Sequence, residues 1–381
     1  MQTILEYSEQ HKNDMKETLI RLVQAESPSR NKLLSDRCGQ VLADLFEELV
    51  EGQVKVIEKE TVGNQYRFTV GSGSAQILII GHYDTVWDQA TIPLREENGV
   101  LYGPGVFDMK GGLIVTLWAL KALKSTGIDL TKKIVFLVTS DEEIGSSHSR
   151  ALIEEEAKKS ELVLVPESSI SNSGSVKTFR KGIGIFKIEV NGIAVHAGIN
   201  PWQGVSAIDE LVLQLQKIKK LDDREAGISV NIGTISGGTR TNVVADYAEA
   251  MIDVRFTTKV QGQELEAALR SSLPFSQRAV VTITGDINRY PMEETKEVLT
   301  LFNELKEIAE GHGYVLQKGG SGGASDGNFT ATLGIPTIDG LGPMGDGAHA
   351  VHEHILLGNL PYRAALIAEL LERHLTYKEG I

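Results

Sequence analysis

Lys133-Ile-Val-Phe-Leu-Val-Thr139 is an apolar, β-branched run too short for a helix and bounded by polar residues, so it reads as a buried strand. Two further runs share its character: Ile77-Leu-Ile-Ile-Gly81 before it and Glu161-Leu-Val-Leu-Val165 after it. Between the first two, residues 109–125 repeat Leu113, Leu117, Leu120 and Leu123 at helical spacing. Residues 146–159 read as a second helix. Strands alternating with helices build βαβ units and a mainly parallel sheet. Working outward, residues 4–25 and 33–50 form two amphipathic helices. Downstream the pattern changes: a strand at 183–190, a helix at 203–220, strands at 228–235 and 243–256, a helix at 261–272 and a strand at 279–284. That β-α-β-β-α-β order is the ferredoxin-like unit. A helix at 294–312, a strand at 335–338 and a closing helix at 359–375 complete the chain. The reading is therefore an α/β domain made of residues 1–180 and 289–381, with a module at 181–288 inserted into it.

The 381 residues suit two or three domains. Thirty-eight Lys and Arg against 51 Asp and Glu leave a net charge of −13, which argues against a nucleic-acid binder, since those carry a basic face. No apolar run reaches the length of a membrane span. The N-terminus lacks a basic stretch followed by an apolar one, so the expected compartment is the cytoplasm. One cysteine, Cys38, excludes an intrachain disulfide framework and a cysteine-rich zinc site; its neighbours Leu34, Val41, Leu42 and Leu45 make it a buried helix residue.

Chemistry-bearing residues follow the strands. His82 and Asp84 come after the first, Asp141, Glu142 and Glu143 after the second, and Glu167 after the third. In open α/β sheets, ligands bind at the carboxyl ends of the strands, so these side chains should converge. Asp108 sits in a glycine-rich turn before a helix, and a histidine cluster, Gly347-Ala-His349-Ala-Val-His352-Glu-His354, comes late. Asp141-Glu142-Glu143 alone would pass for a solvated helix start favoured by the dipole. Together, histidines and several carboxylates with almost no cysteine form a ligand set for hydrolytic zinc, manganese or cobalt. Crowding so many acids costs repulsion unless a cation neutralises them.

Five segments carry a resemblance: Gly81-His82-Tyr83-Asp84-Thr85-Val86, Gly103-Pro-Gly-Val-Phe-Asp108-Met-Lys-Gly-Gly112, Ser140-Asp-Glu142-Glu143-Ile-Gly-Ser146, Pro166-Glu167-Ser168 and Gly347-Ala-His349. In this order they resemble the aminoacylase/carboxypeptidase family of two-zinc metallopeptidases, with local words closest to its glutamate carboxypeptidase branch. The resemblance implies a catalytic domain and an inserted dimerisation (lid) domain, hence a homodimer. It implies that His82 and Glu167 hold one zinc, that Glu143 and His349 hold the other, and that Asp108 bridges them, with a cis peptide following it. Cobalt or manganese would fit the same ligands. Two such ions share a water and lower its pKa. Glu142 would be the general base, and Asp84 would accept the second ring N–H of His82. The family pattern after the last histidine is Ser-Pro-Asp-Glu-Tyr, whereas here Ala350-Val-His352-Glu-His354 follows, so His352 stays open beside His349 as the ligand.

The inserted module matches too, at Val195-His196-Ala-Gly198, Gly237-Gly-Thr-Arg-Thr-Asn242 and Asp253-Val-Arg255-Phe256. By the same resemblance His196 would reach across a dimer to the substrate carbonyl, and Asn242 and Arg255 would hold substrate oxygens. Arg289 is a further substrate-binding candidate at a motif shifted by one residue. The implied reaction is hydrolysis of an amide bond that frees a C-terminal amino acid, with glutamate as one option, from a small peptide or an N-acyl amino acid. Deacylation of the acetylornithine type is the alternative. Two other readings compete: a serine hydrolase built on Gly319-Gly-Ser321-Gly-Gly323 with Asp339 and His349 after a strand at 314–317, and a metal-dependent scaffold without turnover.

Overall fold

The computed structural model describes residues 2–128, 130–171 and 173–376. The chain divides into two compact units. One takes the chain up to Phe179, Glu294–Ser321 and the chain from Ser325 on; the other takes Arg180–Glu293 with Gly322–Ala324. The strands used below are, in chain order, β1 (Gln53–Ile57), β2 (Gln65–Val70), β3 (Gln76–His82), β4 (Lys133–Thr139), β5 (Leu162–Val165), β6 (Val176–Arg180), β7 (Gly182–Asn191), β8 (Ser229–Gly237), β9 (Tyr247–Phe256), β10 (Val280–Arg289), β11 (Lys318–Ser321) and β12 (Thr337–Asp339).

The larger unit carries an eight-stranded sheet in the order β1-β2-β4-β3-β5-β12-β6-β11. Its centre, β4-β3-β5-β12, is parallel, and the flanking pairs β1/β2, β2/β4 and β12/β6 are antiparallel. The three central parallel strands are apolar through their interiors because both faces are covered. Ile77, Ile79, Ile134, Phe136, Leu162 and Leu164 enter one core; Leu78, Ile80, Val135, Leu137, Val163 and Val165 enter a second core on the opposite face. After β3 the chain crosses to β4 on one side and then to β5 on the other. The strand order thus reverses at β3, which is where a crevice opens at the carboxyl ends.

Helix boundaries depart from periodicity where the backbone turns. The helix over 4–25 is two, Ile4–Gln10 and Lys12–Gln24, separated at His11, whose ring stacks on Tyr7. The helix expected at 146–159 spans only Arg150–Ala157, because Gly145 and Ser146 take left-handed φ values of 96° and 57° that no helix accommodates. Leu113, Leu117, Leu120 and Leu123 are all buried in the helix Gly111–Ser125, but 109–110 belong to an irregular turn, Val106–Lys110, in which Asp108 (φ −122°, ψ 94°) and Met109 are not helical. Gly112 allows that helix to start where it does, since a Cβ there would lie 1.7 Å from the Pro166 carbonyl oxygen, next to Glu167.

The smaller unit is a four-stranded antiparallel sheet in the order β8-β9-β7-β10 with helices Ala207–Lys219 and Lys259–Arg270, the ferredoxin-like arrangement. Each helix starts at a side-chain cap: Ser206 accepts from the Asp209 N–H, and Thr258 forms a capping box with Gln261. Gly204, in extended backbone, and the Ser206 cap explain why the first helix begins later than residue 203.

Candidate metal centre

His82 is the last residue of the central strand β3 and pairs in register with Thr139, the last residue of β4. Glu167 lies two residues beyond β5, and Glu142–Ile144 forms a 3-10 turn three residues beyond β4. The order of the strands therefore brings together residues 85 positions apart. His82 Nε2 stands 3.2 Å from Glu167 Oε1 and 3.3 Å from Asp108 Oδ1. The other oxygen of Asp108, Oδ2, is 3.5 Å from His349 Nε2, which in turn is 3.0 Å from Glu143 Oε2. Two histidine–glutamate pairs thus face opposite oxygens of one aspartate. His349, rather than His352, is the histidine at that position; it sits at φ 60° in a loop after Gly347. Non-glycine residues held in that region cluster at functional sites.

The donor set fits divalent cations on a structural observation. His82 Nδ1 points at the Asp84 main-chain oxygen at 3.0 Å, so that nitrogen donates and the neutral ring offers its lone pair on Nε2. This Nε2 is buried, has no hydrogen-bond geometry to any neighbour, and faces two carboxylates. Glu143 Oε1 is likewise buried without a hydrogen-bond partner. A lone pair aimed at anions costs free energy unless a cation lies between them. Ligand atoms of His82, Asp108 and Glu143 lie within 4.8 Å of one another, close enough to share one ion.

The electrostatics follow. Burial opposes charging His82, yet the carboxylates of Asp108, Asp84 and Glu167 outweigh it and hold the imidazole well above its ordinary value. Burial, reinforced by repulsion from Asp108, pushes Glu143 up to about 7. The Glu143 carboxylate beside His349 raises that histidine to about 9. Burial would raise Asp108 too, but His82, His349 and Lys177 bring it below its usual range. Without cations, the cluster compensates its own negative charge by taking up protons.

The ligand-bearing loops are held from behind. Asp84 is fully buried, and its carboxylate accepts from Ser29 Oγ (2.7 Å) and from the backbone N–H groups of Glu142 (3.2 Å) and Glu143 (3.3 Å). Its distance to His82 Nδ1 is 3.5 Å, longer than the histidine's bond to the main-chain oxygen of the same residue. Sequence reading passes over Ser29 and over Glu353, whose carboxylate accepts four hydrogen bonds under the Asp108 turn. Ser29 donates to the Asp84 carboxylate and the Thr85 carbonyl, and Glu353 accepts from Trp87 and three backbone N–H groups, all far away in sequence, which no side-chain pattern encodes.

In the smaller unit the four expected substrate residues split into two pairs. His196 bridges Val243, and the Asn242 carbonyl accepts from the Ala197 N–H at 2.9 Å. His196 Nδ1 accepts from the Gly198 N–H at 3.0 Å, which leaves the ring proton on Nε2 as an outward donor. Arg255 and Arg289 instead flank Ile183 near the start of β7. Arg255 is forked onto Asp253 at 2.7 and 2.9 Å. The serine-hydrolase geometry does not form: residues 314–317 are not a strand, Ser321 ends β11, the next helix begins only at Gly327, and His349 faces Asp108 and Glu143.

Residues 78–373 match the model of peptidase family M20/M25/M40, and the chain belongs to this family. It is an enzyme that hydrolyses amide bonds. It is 29% identical to carboxypeptidase G2 of Pseudomonas sp. (strain RS-16), over 79% of this chain and 74% of that one. It is 31% identical to a succinyl-diaminopimelate desuccinylase of Stutzerimonas stutzeri (strain A1501), over 76% and 80% of the two chains. In fold it is similar to the aminopeptidase PepT of Bacillus cereus ATCC 10987, with a TM-score of 0.77, 23% identity and coverage of 95% and 98%. Among the described residues no helix is long and apolar enough to cross a membrane.

Proposed function

We propose that this enzyme releases a C-terminal amino acid, glutamate among the candidates, from a small peptide or N-acyl amino acid, with His82, Glu167, Asp108, Glu143 and His349 holding two divalent cations. The observation that carries this reading is Asp108, whose two oxygens face two separate histidine–glutamate pairs. Zinc is the family expectation for the cations. Bound there, such ions polarise a carbonyl and lower the pKa of water. Glu142 takes the proton from the attacking water and delivers it to the departing amine nitrogen, so one carboxyl serves as base and then as acid. Asp84 fixes the backbone of Glu142 and Glu143 and, through its main-chain oxygen, the tautomer of His82.

The similarity to carboxypeptidase G2 favours release of an amino acid with a free α-carboxylate. Deacylation of N-acyl amino acids, favoured by the desuccinylase relatives, is the second reading. A panel of dipeptides and N-acyl amino acids separates the two. Amidating the α-carboxylate of the best substrate is expected to lower kcat/KM more than tenfold, because an arginine fork pairs bidentately with carboxylate and not with amide (about 1.4 kcal/mol per decade). An unchanged kcat/KM would remove the carboxypeptidase reading.

His196 and Asn242 on one side and Arg255 and Arg289 on the other complete the substrate site in this reading, and they require a homodimer. Ile183 and Asn191 are separated by about 26 Å of extended chain, at 3.3 Å per residue. One small substrate cannot touch both ends of β7 in the same copy, so a second copy supplies one of them. Mixing His196→Ala with Glu142→Gln protein, each inactive alone, is expected to restore about a quarter of wild-type activity. Random pairing gives half heterodimers, each with one intact site. No recovery after proven subunit exchange would place both residues in one subunit's site.

A further inference from the structure

Glu353 is fully buried and carries a carboxylate with no cationic partner among the described ion pairs. Its four hydrogen bonds all come from neutral donors. Oε2 accepts from Trp87 Nε1 (2.7 Å) and the Gly105 N–H (3.0 Å); Oε1 accepts from the N–H groups of Phe107 (2.9 Å) and Asp108 (3.0 Å). Four acceptor sites meet four donors, which saturates the group. Three of the donors belong to the turn that bears Asp108. Phe107 and Asp108 open the turn just after Gly105, so their N–H groups have no helical partner before them, and buried N–H groups must find one elsewhere.

Glu353 also closes the loop that bears His349. Its N–H donates to the Ala350 carbonyl (2.8 Å), the Ala350 N–H donates to the Gly347 carbonyl (2.8 Å), and its own carbonyl accepts from the Gly103 N–H (3.4 Å). Both termini of the 103–108 turn and the end of the His349 loop are therefore tied to one residue. Trp87 brings in a third segment, three residues after Asp84. A carboxylate in this place does what a neutral residue cannot: it holds several N–H groups at once in strong, charge-assisted bonds.

We propose that Glu353 is a positioning residue that aims the two oxygens of Asp108 at opposite sides and sets His349 in register with them, so that two cations are held rather than one. The inference rests on the two-cation reading above. Glu353→Gln keeps the shape, but its amide nitrogen must face two donors wherever it points, so two of the four bonds are lost. The expected results are a Tm close to wild type, a loss of 10–100-fold in affinity for one of two cobalt(II) ions, a changed cobalt absorption spectrum, and a fall in kcat at nearly constant KM. Glu353→Asp, which keeps the charge, should recover part of the second-ion affinity. Trp87→Phe removes a single donor and should shift the same readouts in the same direction by less; it also supplies the test if Glu353→Gln does not fold. Two cobalt ions bound with wild-type affinity and spectrum in these variants would overturn the inference and leave the proposed function standing. Wild-type protein that binds no second ion would overturn both.

Discussion

Glu142→Gln is expected to lower kcat by about 10²–10⁴-fold while the protein keeps its full complement of divalent metal. Glu142 and Glu143 are consecutive and lie in a 3-10 turn, where successive side chains point about 120° apart. Asp84 clamps both of their N–H groups, so the turn cannot rotate to exchange the two carboxylates. Glu143 is the one directed at His349. Glutamine has the size of glutamate but cannot accept the proton from water, so transfer is lost while the turn is kept. Metal analysis and single-turnover kinetics check this together. Turnover within tenfold of wild type would remove Glu142 as the base. Loss of metal would make it a ligand.

Exhaustive dialysis against a chelator is expected to reduce activity by at least about a thousandfold, since Lewis-acid stabilisation contributes several kcal/mol to the barrier. Zinc, cobalt or manganese should restore it, and a serine-directed phosphonate should have no effect. The site should release its cations more readily as the pH falls. Glu143 is raised to about 7 and His349 to about 9 in the metal-free site, so both bind protons that a cation must displace. Above pH 9 neither proton competes. Between pH 9 and 7 loading the site displaces the His349 proton, and below 7 the Glu143 proton as well, in addition to the proton that the carboxylates hold on His82. Affinity for cobalt should therefore weaken by about tenfold per pH unit from 8 to 7 and more steeply below 7. A flat profile from pH 8 to 6 would show that these two groups are not ligands.

Legibility in the sequence tracks how local the physics is. The central strands are readable because burial on both faces demands an unbroken apolar run through their interiors, and β4 occupies the same seven residues that the run 133–139 marks. β2 carries the period of two in Tyr66, Phe68 and Val70, yet sequence reading passes over it and over the short, exposed edge strand β1, Gln53-Val-Lys-Val-Ile57. The helices are readable as stripes, but their ends are set by Gly145, Ser146 and Ser206, where φ or a cap decides. The candidate ligands stand out because several acids and histidines follow strands in a mainly parallel fold. Their supports do not: Ser29 and Glu353 act on backbone and on residues up to 266 positions away.

The amino-acid order alone determined the α/β class, the inserted βαββαβ pattern and the short list of groups able to bind cations, because periodicity and residue chemistry are properties of neighbouring positions. Only the tertiary structure decided that Asp108 turns one oxygen to each histidine, that His349 rather than His352 stands beside Glu143, and that the four substrate candidates of the inserted module separate to opposite ends of β7. Those facts arise from strand order, loop hydrogen bonds and register, which join residues hundreds of positions apart and leave no periodic trace along the chain.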